Sequence, residues 1–158
     1  MEPTVREKIE VLKKIAHRFN EERIVWALGA SMLLYFKGVA SEFHDIDLMI
    51  ALPDADRANA ILSELGERQP PVPSTRYRTK VFAEYVIDGI DVDALAGFAV
   101  VSEGRLYDCS LREEQITEKM PLGTELIPLQ SLTLWCEYYR LMGKDEKAAL
   151  IESKLANP

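Results

Sequence analysis

Short apolar segments alternate with helical patterns along the first half of this chain, and this alternation constrains the fold most. Residues 24–28 are apolar throughout, which is typical of a central strand. A second predicted strand, residues 45–51, combines apolar residues with Asp45 and Asp47. The spacing of apolar residues predicts helices over about 4–19, 31–36 and 53–65. We therefore expect an α/β (α+β) protein in which helices pack on a mixed β-sheet.

Hairpin signals and a helical tail follow in the second half of the chain. Asp88-Gly89 predicts a tight turn between strands 77–87 and 90–95, and Glu103-Gly104 predicts a hairpin within 98–107. The prolines of residues 67–74 predict a loop. The remaining predicted elements are one further strand within 115–128 and helices over 131–142 and 145–155. We expect a single domain over residues 1–158, with a core of about 20–97 and a strand and helical extension of about 98–158.

Charge and composition restrict the classes of partner. The chain of 158 residues has a formal net charge of −7 and a sequence pI near 4.9, whereas nucleic-acid binders usually present a basic face. A small-molecule or protein partner is therefore favoured over nucleic acid. No apolar run approaches the roughly 20 residues that span a bilayer. Cys109 and Cys136 lack metal-ligand spacing, and we expect free thiols in a cytoplasmic protein without membrane association.

Three aspartates on predicted strands are the main candidates for chemistry. Asp45 and Asp47 are two residues apart, so their side chains point to one face of a strand. Asp93 alternates in the same way with Asp91, although a solvated strand face is the alternative for these two residues. Neighbouring carboxylates repel each other, and a cation such as Mg²⁺ relieves that repulsion. If Asp45, Asp47 and Asp93 converge, they form a two-metal phosphoryl-transfer site in which Asp93 can accept a proton.

A turn of small residues, Gly29-Ala30-Ser31, ends the first predicted strand. Gly29 would let the backbone approach a phosphate closely. Ser31 is predicted to cap the following helix and to offer its hydroxyl and amide to the same phosphate. Metal ligands and a phosphate seat at one site indicate chemistry on a nucleotide. The alternative is an ordinary strand-to-helix turn capped by serine.

These motifs together resemble those of the DNA polymerase β-like nucleotidyltransferase superfamily. The resemblance rests on Leu-Gly-Ala-Ser at 28–31, Asp-Ile-Asp-Leu at 45–48 and the later strand with Asp93, and it covers about residues 24–96. It is closest to small members, namely aminoglycoside nucleotidyltransferase-like and minimal nucleotidyltransferases. It implies a mixed sheet, dependence on Mg²⁺ (or Mn²⁺), and transfer of a nucleoside monophosphate from an NTP. The implied site residues are Gly29, Ala30 and Ser31 for the nucleotide phosphates, and Asp45, Asp47 and Asp93 for metal binding and catalysis.

Some residues depart from the family pattern or allow two interpretations. Ala30 stands where the family usually has Gly or Ser, and residues 32–34 lack the arginine of antitoxin-type members. His44 could contact a phosphate or simply begin a strand. The aromatic residues of the tail, which could stack on a base or lie in the core, are Trp135, Tyr138 and Tyr139. The cations that could bind phosphate, but that are more simply explained as solvated charges, are Lys37, Arg76, Arg78, Lys80, Lys144 and Lys147.

Three functions are compatible with this sequence. The first is an enzyme that transfers a nucleoside monophosphate from an NTP to a hydroxyl or phosphate acceptor. A small-molecule hydroxyl, a protein side chain and an RNA end are all compatible with the motif. The second is a catalytically weak or inactive nucleotide-binding module, such as a toxin–antitoxin component. The third is a metal-dependent hydrolase or nuclease that uses the same acids. The sequence does not identify the acceptor, the NTP or the oligomeric state, although a homodimer could complete the cleft of so small a domain.

Overall fold

The computed structural model describes residues 2–72 and 78–158. The α-helices in these ranges are α1 (Val5–Glu21), α2 (Ala30–Phe36), α3 (Ala55–Leu65), α4 (Leu132–Leu141) and α5 (Asp145–Ala156). The strands are β1 (Trp26–Gly29), β2 (Ile46–Ile50), β3 (Glu67–Arg68), β4 (Val81–Ile87), β5 (Ile90–Ala96), β6 (Ala99–Ser102), β7 (Arg105–Asp108), β8 (Glu118–Leu122) and β9 (Glu125–Leu129). None of the described helices is long and apolar enough to cross a bilayer.

Seven of these strands form one mixed sheet. Their order is β3-β4-β5-β2-β1-β9-β8, while β6 and β7 pair with each other in a separate hairpin. Strand β1 is antiparallel to β2 and parallel to β9, and β2 is parallel to β5. The predicted mixed sheet with packed helices is therefore confirmed, and β1 and β2 are central strands as their apolar sequences indicate.

Alternation along the strands gives the two faces of the sheet different characters. Ile46, Val92 and Tyr85 are register neighbours on β2, β5 and β4, and all three are almost completely buried. The Tyr85 hydroxyl donates a hydrogen bond to Oδ1 of Asn59 on α3 (2.6 Å), so this face lies against α3. Successive side chains of a strand point to opposite faces. The next residue of each of these strands is therefore directed away from α3.

The strand register aligns three candidate site residues in one row. Gly29, the last residue of β1, is opposite Asp47 of β2. Asp47 is in turn opposite Asp93 of β5. Adjacent strands lie about 4.8 Å apart, so the row brings residues that are distant in sequence into one neighbourhood. It lies on the face directed away from α3.

Two short-range signals in the sequence produce the expected geometry. The Thr4 hydroxyl accepts a hydrogen bond from the amide of Glu7 (3.1 Å), and the Glu7 carboxylate accepts one from the amide of Thr4 (3.2 Å). This reciprocal pair is a capping box at the start of α1. Asp88 and Gly89 have φ values of +52° and +79°, which a type I′ hairpin turn requires.

The structure corrects three local predictions. Residues 67–68 are strand β3 rather than loop, because they pair with β4. Segment 115–128 contributes to two strands rather than one, because β8 and β9 form a hairpin that extends the sheet beyond β1. Ser31 does not cap α2: the helix begins at Ala30, and Gly29 occupies the cap position without a side-chain bond. Residues 73–77, which include the end of the predicted loop and the start of the predicted strand at Tyr77, lie outside the described residues.

Candidate functional site

The three candidate aspartates lie on the open face of β2 and β5. Asp47 and Asp93 are opposite each other on parallel strands, and each carboxyl group affects the pKa of the other. Asp45 directly precedes β2, two residues before Asp47, and it interacts electrostatically with both of the other acids. All three side chains are partly buried. The structure therefore brings together the three acids that the sequence indicates.

Burial and mutual repulsion raise the pKa values of these carboxyl groups. Burial is the largest cause for Asp47, followed by repulsion from Asp45, and the resulting pKa is about 6. Burial also raises the pKa of Asp93, together with repulsion from Asp47, Asp45 and Glu84, to about 8. Asp47 and Asp93 titrate as a pair because their carboxyl groups are adjacent and interact directly. A site that holds acids in this way favours a proton or a cation between them.

The donor set of this pair fits a hard divalent cation. Carboxylate oxygens are the ligands that Mg²⁺ prefers, and Asp47 and Asp93 place two carboxylates side by side on rigid strands. Among residues 2–72 and 78–158, no group of three or more His, Cys, Asp and Glu side chains is arranged to hold a metal ion. A metal role for Asp45, Asp47 and Asp93 therefore stays a prediction. The adjacent carboxylates of Asp47 and Asp93 support it most directly.

The glycine turn lies beside the acids, but a tryptophan fixes it in place. A Cβ atom on Gly29 would lie 2.5 Å from Cζ2 of Trp135, which is far inside van der Waals contact. Trp135 on α4 is 2% exposed, and its Nε1 donates to Oε1 of Gln130 (2.8 Å). Gly29 is therefore required for packing against the indole. Its predicted role toward phosphate stays a prediction.

Ala30 has a backbone conformation that glycine would adopt more easily. Its φ is +54°, in the left-handed region that costs an L-residue about 1–2 kcal/mol. Ala30 and Ser31 both line the cleft in front of the acids. Strained backbone of this kind is concentrated at functional sites in proteins. The turn is thus held in a specific shape even though its second residue carries a methyl group.

A cleft of about 820 Å³ opens in front of the acids and the turn. Asp45, Asp47 and Asp93 line it together with three of the candidate cations, Lys80, Lys144 and Lys147. Lys144 and Lys147 flank the start of α5, and both interact favourably with the charge of Asp47. Lys144 is the N-cap of α5 and Lys147 lies in its first turn. No signal in the sequence distinguishes these two lysines from surface charges, because their place in the cleft depends on how α5 packs.

The other secondary candidates have different surroundings. Nζ of Lys37 donates to Oε1 of Glu118 (2.6 Å) in an ion pair that is not part of the cleft lining. Arg78 is exposed and is likewise not among the lining residues, and Arg76 lies outside the described residues. His44 is exposed at the edge of the cleft next to Asp45. The tail aromatics Trp135, Tyr138 and Tyr139 are at most 5% exposed and pack in the core, and Trp135 and Tyr139 also line the cleft.

The structure is similar to those of several nucleotidyltransferases. A putative nucleotidyltransferase from Thermotoga maritima is 26% identical, with a TM-score of 0.75 over 99% of this chain and 98% of that chain. The antibiotic-resistance factor ANT(2″)-Ia in complex with adenylyl-2″-tobramycin is 14% identical, with a TM-score of 0.63 over 94% and 89%. The lincomycin-bound lincosamide antibiotic adenylyltransferase LnuA is 14% identical, with a TM-score of 0.61 over 98% and 99%. The chain therefore has the fold of a small nucleotidyltransferase.

Comparisons of sequence alone are less informative. Residues 134–157 match a family described as far upstream element-binding protein, C-terminal. The match covers only α4 and α5, whose aromatic residues pack into the core. No curated protein matches the sequence.

Proposed function

We propose that this protein is an enzyme that transfers a nucleoside monophosphate from an NTP to an acceptor hydroxyl, with Mg²⁺ or Mn²⁺ as cofactor. One observation carries the proposal: Asp47 and Asp93 are adjacent carboxylates at the floor of an open cleft. The fold shared with nucleotidyltransferases supports it. The printed names of two neighbours, an adenylyl-2″-tobramycin complex and a lincosamide adenylyltransferase, point to adenylyl transfer in those proteins.

The metal would be held by Asp47 and Asp93, with Asp45 as the third acid. When bound, a divalent cation neutralises the charge of the triphosphate and of the pyrophosphate that leaves. Lys144 and Lys147 provide the positive charge on the α5 side of the cleft that the terminal phosphates need. Ser31 and the backbone of the turn at Ala30 complete this phosphate-binding wall.

Asp93 would receive the proton of the acceptor. In the transfer, the acceptor oxygen forms a bond to the α-phosphorus, and the bond from that phosphorus to the bridging oxygen of the β-phosphate breaks. The hydroxyl proton passes to the Asp93 carboxylate, and pyrophosphate leaves with the electron pair of the broken bond. In its ionised form, the Asp93 carboxylate can act as the general base for this proton.

Calorimetric titration with ATP in the presence of Mg²⁺ tests the site. Wild-type protein is expected to bind ATP only when Mg²⁺ is present. Asp47→Asn removes one carboxylate charge without changing side-chain size, and we expect at least a tenfold loss of affinity. Asp88→Asn is the matched control, because Asp88 is an exposed turn residue remote from the cleft. Equal affinity of wild type and Asp47→Asn would contradict the metal role of the acid pair.

Pyrophosphate release separates catalysis from simple binding. Release that depends on both ATP and an added acceptor would support the transferase. Mg²⁺-dependent ATP binding without release, for every acceptor tested, would favour a nucleotide-binding module of the same fold. Loss of the terminal phosphate alone would indicate a hydrolase instead.

A further inference from the structure

Apolar side chains border the mouth of the cleft. Six large apolar residues in the described ranges are exposed, and three of them line this cleft: Val72, Phe82 and Leu150. Phe82 is 40% exposed and Val72 is 68% exposed. Exposed apolar groups that gather at one place usually mark a binding surface. The cleft therefore has an apolar part in addition to its acids and lysines.

The strand register connects this apolar part to Asp93. Phe82 of β4 is directly opposite Leu95 of β5, so the two side chains lie on the same face of the sheet. Leu95 follows Asp93 by two residues and shares that face as well. Both apolar side chains line the cleft. A molecule whose hydroxyl reaches Asp93 would thus have its adjoining atoms against Leu95 and Phe82.

The direction of attack indicates that the apolar surface of Phe82 and Leu95 contacts the acceptor rather than the phosphates. In an in-line displacement, the attacking and leaving oxygens are on opposite sides of the phosphorus. Lys144 and Lys147 lie on the α5 side and act on Asp47, whereas β4 lies beyond β5 in the sheet. A pyrophosphate group that leaves toward the lysines therefore places the acceptor toward β4.

Charge on the β4 side disfavours an anionic acceptor. Glu84 is directly opposite Asp93 and on the same face, where it raises the pKa of Asp93 by repulsion. Lys80 is the one described lysine on this side of the cleft, and its charge also acts on Asp108. Glu84 does not itself line the cleft, but its negative charge adds to that of Asp93, and Lys80 is the cation that opposes them on this side. An apolar molecule without negative charge meets no such penalty.

We propose that the acceptor is a small, hydroxyl-bearing molecule with an apolar ring or chain that rests on Phe82 and Leu95. This assignment rests on the proposed transferase function. It specifies the substrate class: the hydroxyl faces Asp93, the apolar portion covers the β4–β5 surface, and phosphorylated acceptors are rejected.

A series of surrogate acceptors tests the substrate class. Methyl and hexyl β-D-glucoside present the same hydroxyls but differ by five methylene groups, and glucose 6-phosphate adds negative charge. With ATP and Mg²⁺, wild-type kcat/KM for pyrophosphate release should rise at least tenfold from the methyl to the hexyl glucoside, and glucose 6-phosphate should be the poorest acceptor. Phe82→Ser should reduce the rise to less than threefold. Leu106→Ser, which replaces a leucine that is 64% exposed outside the cleft, should preserve it.

A binding measurement tests the apolar surface independently of catalysis. The probe is N-phenyl-1-naphthylamine, an uncharged aromatic dye that fluoresces in apolar surroundings. Wild type and Leu106→Ser should bind it equally, and Phe82→Ser should bind it at least fivefold more weakly. Equal binding by Phe82→Ser, or no binding by wild type, would overturn the proposed subsite even if ATP binds. Dye binding that depends on Phe82 without any ATP binding would keep the subsite and refute the transferase.

Discussion

The acid strands and the glycine turn meet in one row of the sheet, but different interactions determine their geometry. Asp47 and Asp93 are placed by strand alternation and by the pairing of β2 with β5. Gly29 is placed by Trp135, a residue from the far end of the chain that occupies the space of its missing side chain. The acids are therefore set by regular secondary structure. The turn depends on one long-range packing contact.

This difference predicts different costs for substitution in the two regions. A change at an acid alters charge and should leave the strands intact. A change at the turn alters packing and should therefore also destabilise the core. Substitutions and pH titration test that contrast.

Gly29→Ala should have the largest effect, a loss of about 3 kcal/mol in the free energy of unfolding. The added methyl group would overlap the indole of Trp135, and overpacking in cores costs about 1–3 kcal/mol or more. Urea unfolding monitored by circular dichroism measures the change. Adding Trp135→Phe should cost less than the sum of the single changes, because the smaller ring relieves the overlap. Strict additivity would show that the contact does not fix the turn.

Stability without metal should fall as the pH rises from 5 to 8, because of the acid pair. The folded-state pKa values of Asp47 and Asp93, about 6 and about 8, lie above the ordinary value of 3.8. The folded protein therefore binds protons in this range that the unfolded chain has lost, and the free energy of unfolding decreases as pH rises. Urea titrations at each pH measure the slope.

Asp93→Asn is the control for this pH dependence. It removes one of the two interacting charges, so most of the slope between pH 5 and pH 8 should disappear and stability at pH 8 should increase. A slope as steep as in wild type would assign the pH dependence to other groups. Mg²⁺ added to wild type at pH 8 should stabilise it by mass action.

Lys8→Met should lower the free energy of unfolding by about 1.5 kcal/mol. Its effect should lie near the acids rather than near the glycine turn. Nζ of Lys8 donates to the backbone oxygen of Phe43 (2.7 Å) and lies 4.9 Å from the centre of that ring. Lys8 is only 8% exposed, so the carbonyl would lose a buried, charge-assisted partner. Hydrogen exchange of residues 40–45 should accelerate in the variant. Lys14→Met removes an exposed ion pair on the same helix, and it should change neither measurement appreciably.

Ala30→Gly should have the smallest effect, an increase of about 0.5 kcal/mol in the free energy of unfolding. Glycine relieves the cost of the left-handed φ of +54° but adds conformational entropy to the unfolded chain. Thermal unfolding by calorimetry measures the difference. Ala27→Gly is the comparison, since Ala27 is buried within β1 and its replacement should destabilise the protein. Destabilisation by Ala30→Gly would mean that the methyl group contributes to packing.

Sequence reasoning was most successful where structure follows from local patterns. The acids of 45–47 and 91–93 alternate on their strands, and the parallel pairing of β2 with β5 brings Asp47 beside Asp93. The Asp88-Gly89 turn is also a local signal, and it predicted the hairpin of β4 and β5. The alternation predicted which side chains share a face of a strand, and the convergence of the acids then depended on how the strands pair.

The remaining features depend on contacts between distant segments. Strand β9 contains Pro128, and β8 contains Pro121, which weakens a strand signal in sequence because proline cannot donate to the ladder. The apposition of Gly29 and Trp135 has no local signature. Lys144 and Lys147 reach the cleft because α4 and α5 pack against each other, which their own sequence does not specify.

The parallel pairing of β9 with β1 also determines when the site can form during synthesis. Strands β1, β2 and β5 leave the ribosome well before β9, α4 and α5, so the acids can be assembled before Gly29 meets Trp135 and before the lysines arrive. Domains whose strands pair across long stretches of sequence fold slowly, because the loop must close before the pairing stabilises it. A nascent chain in that interval carries clustered acids without the lysines that balance them. The acid cluster would therefore carry its full mutual repulsion until α4 and α5 have packed.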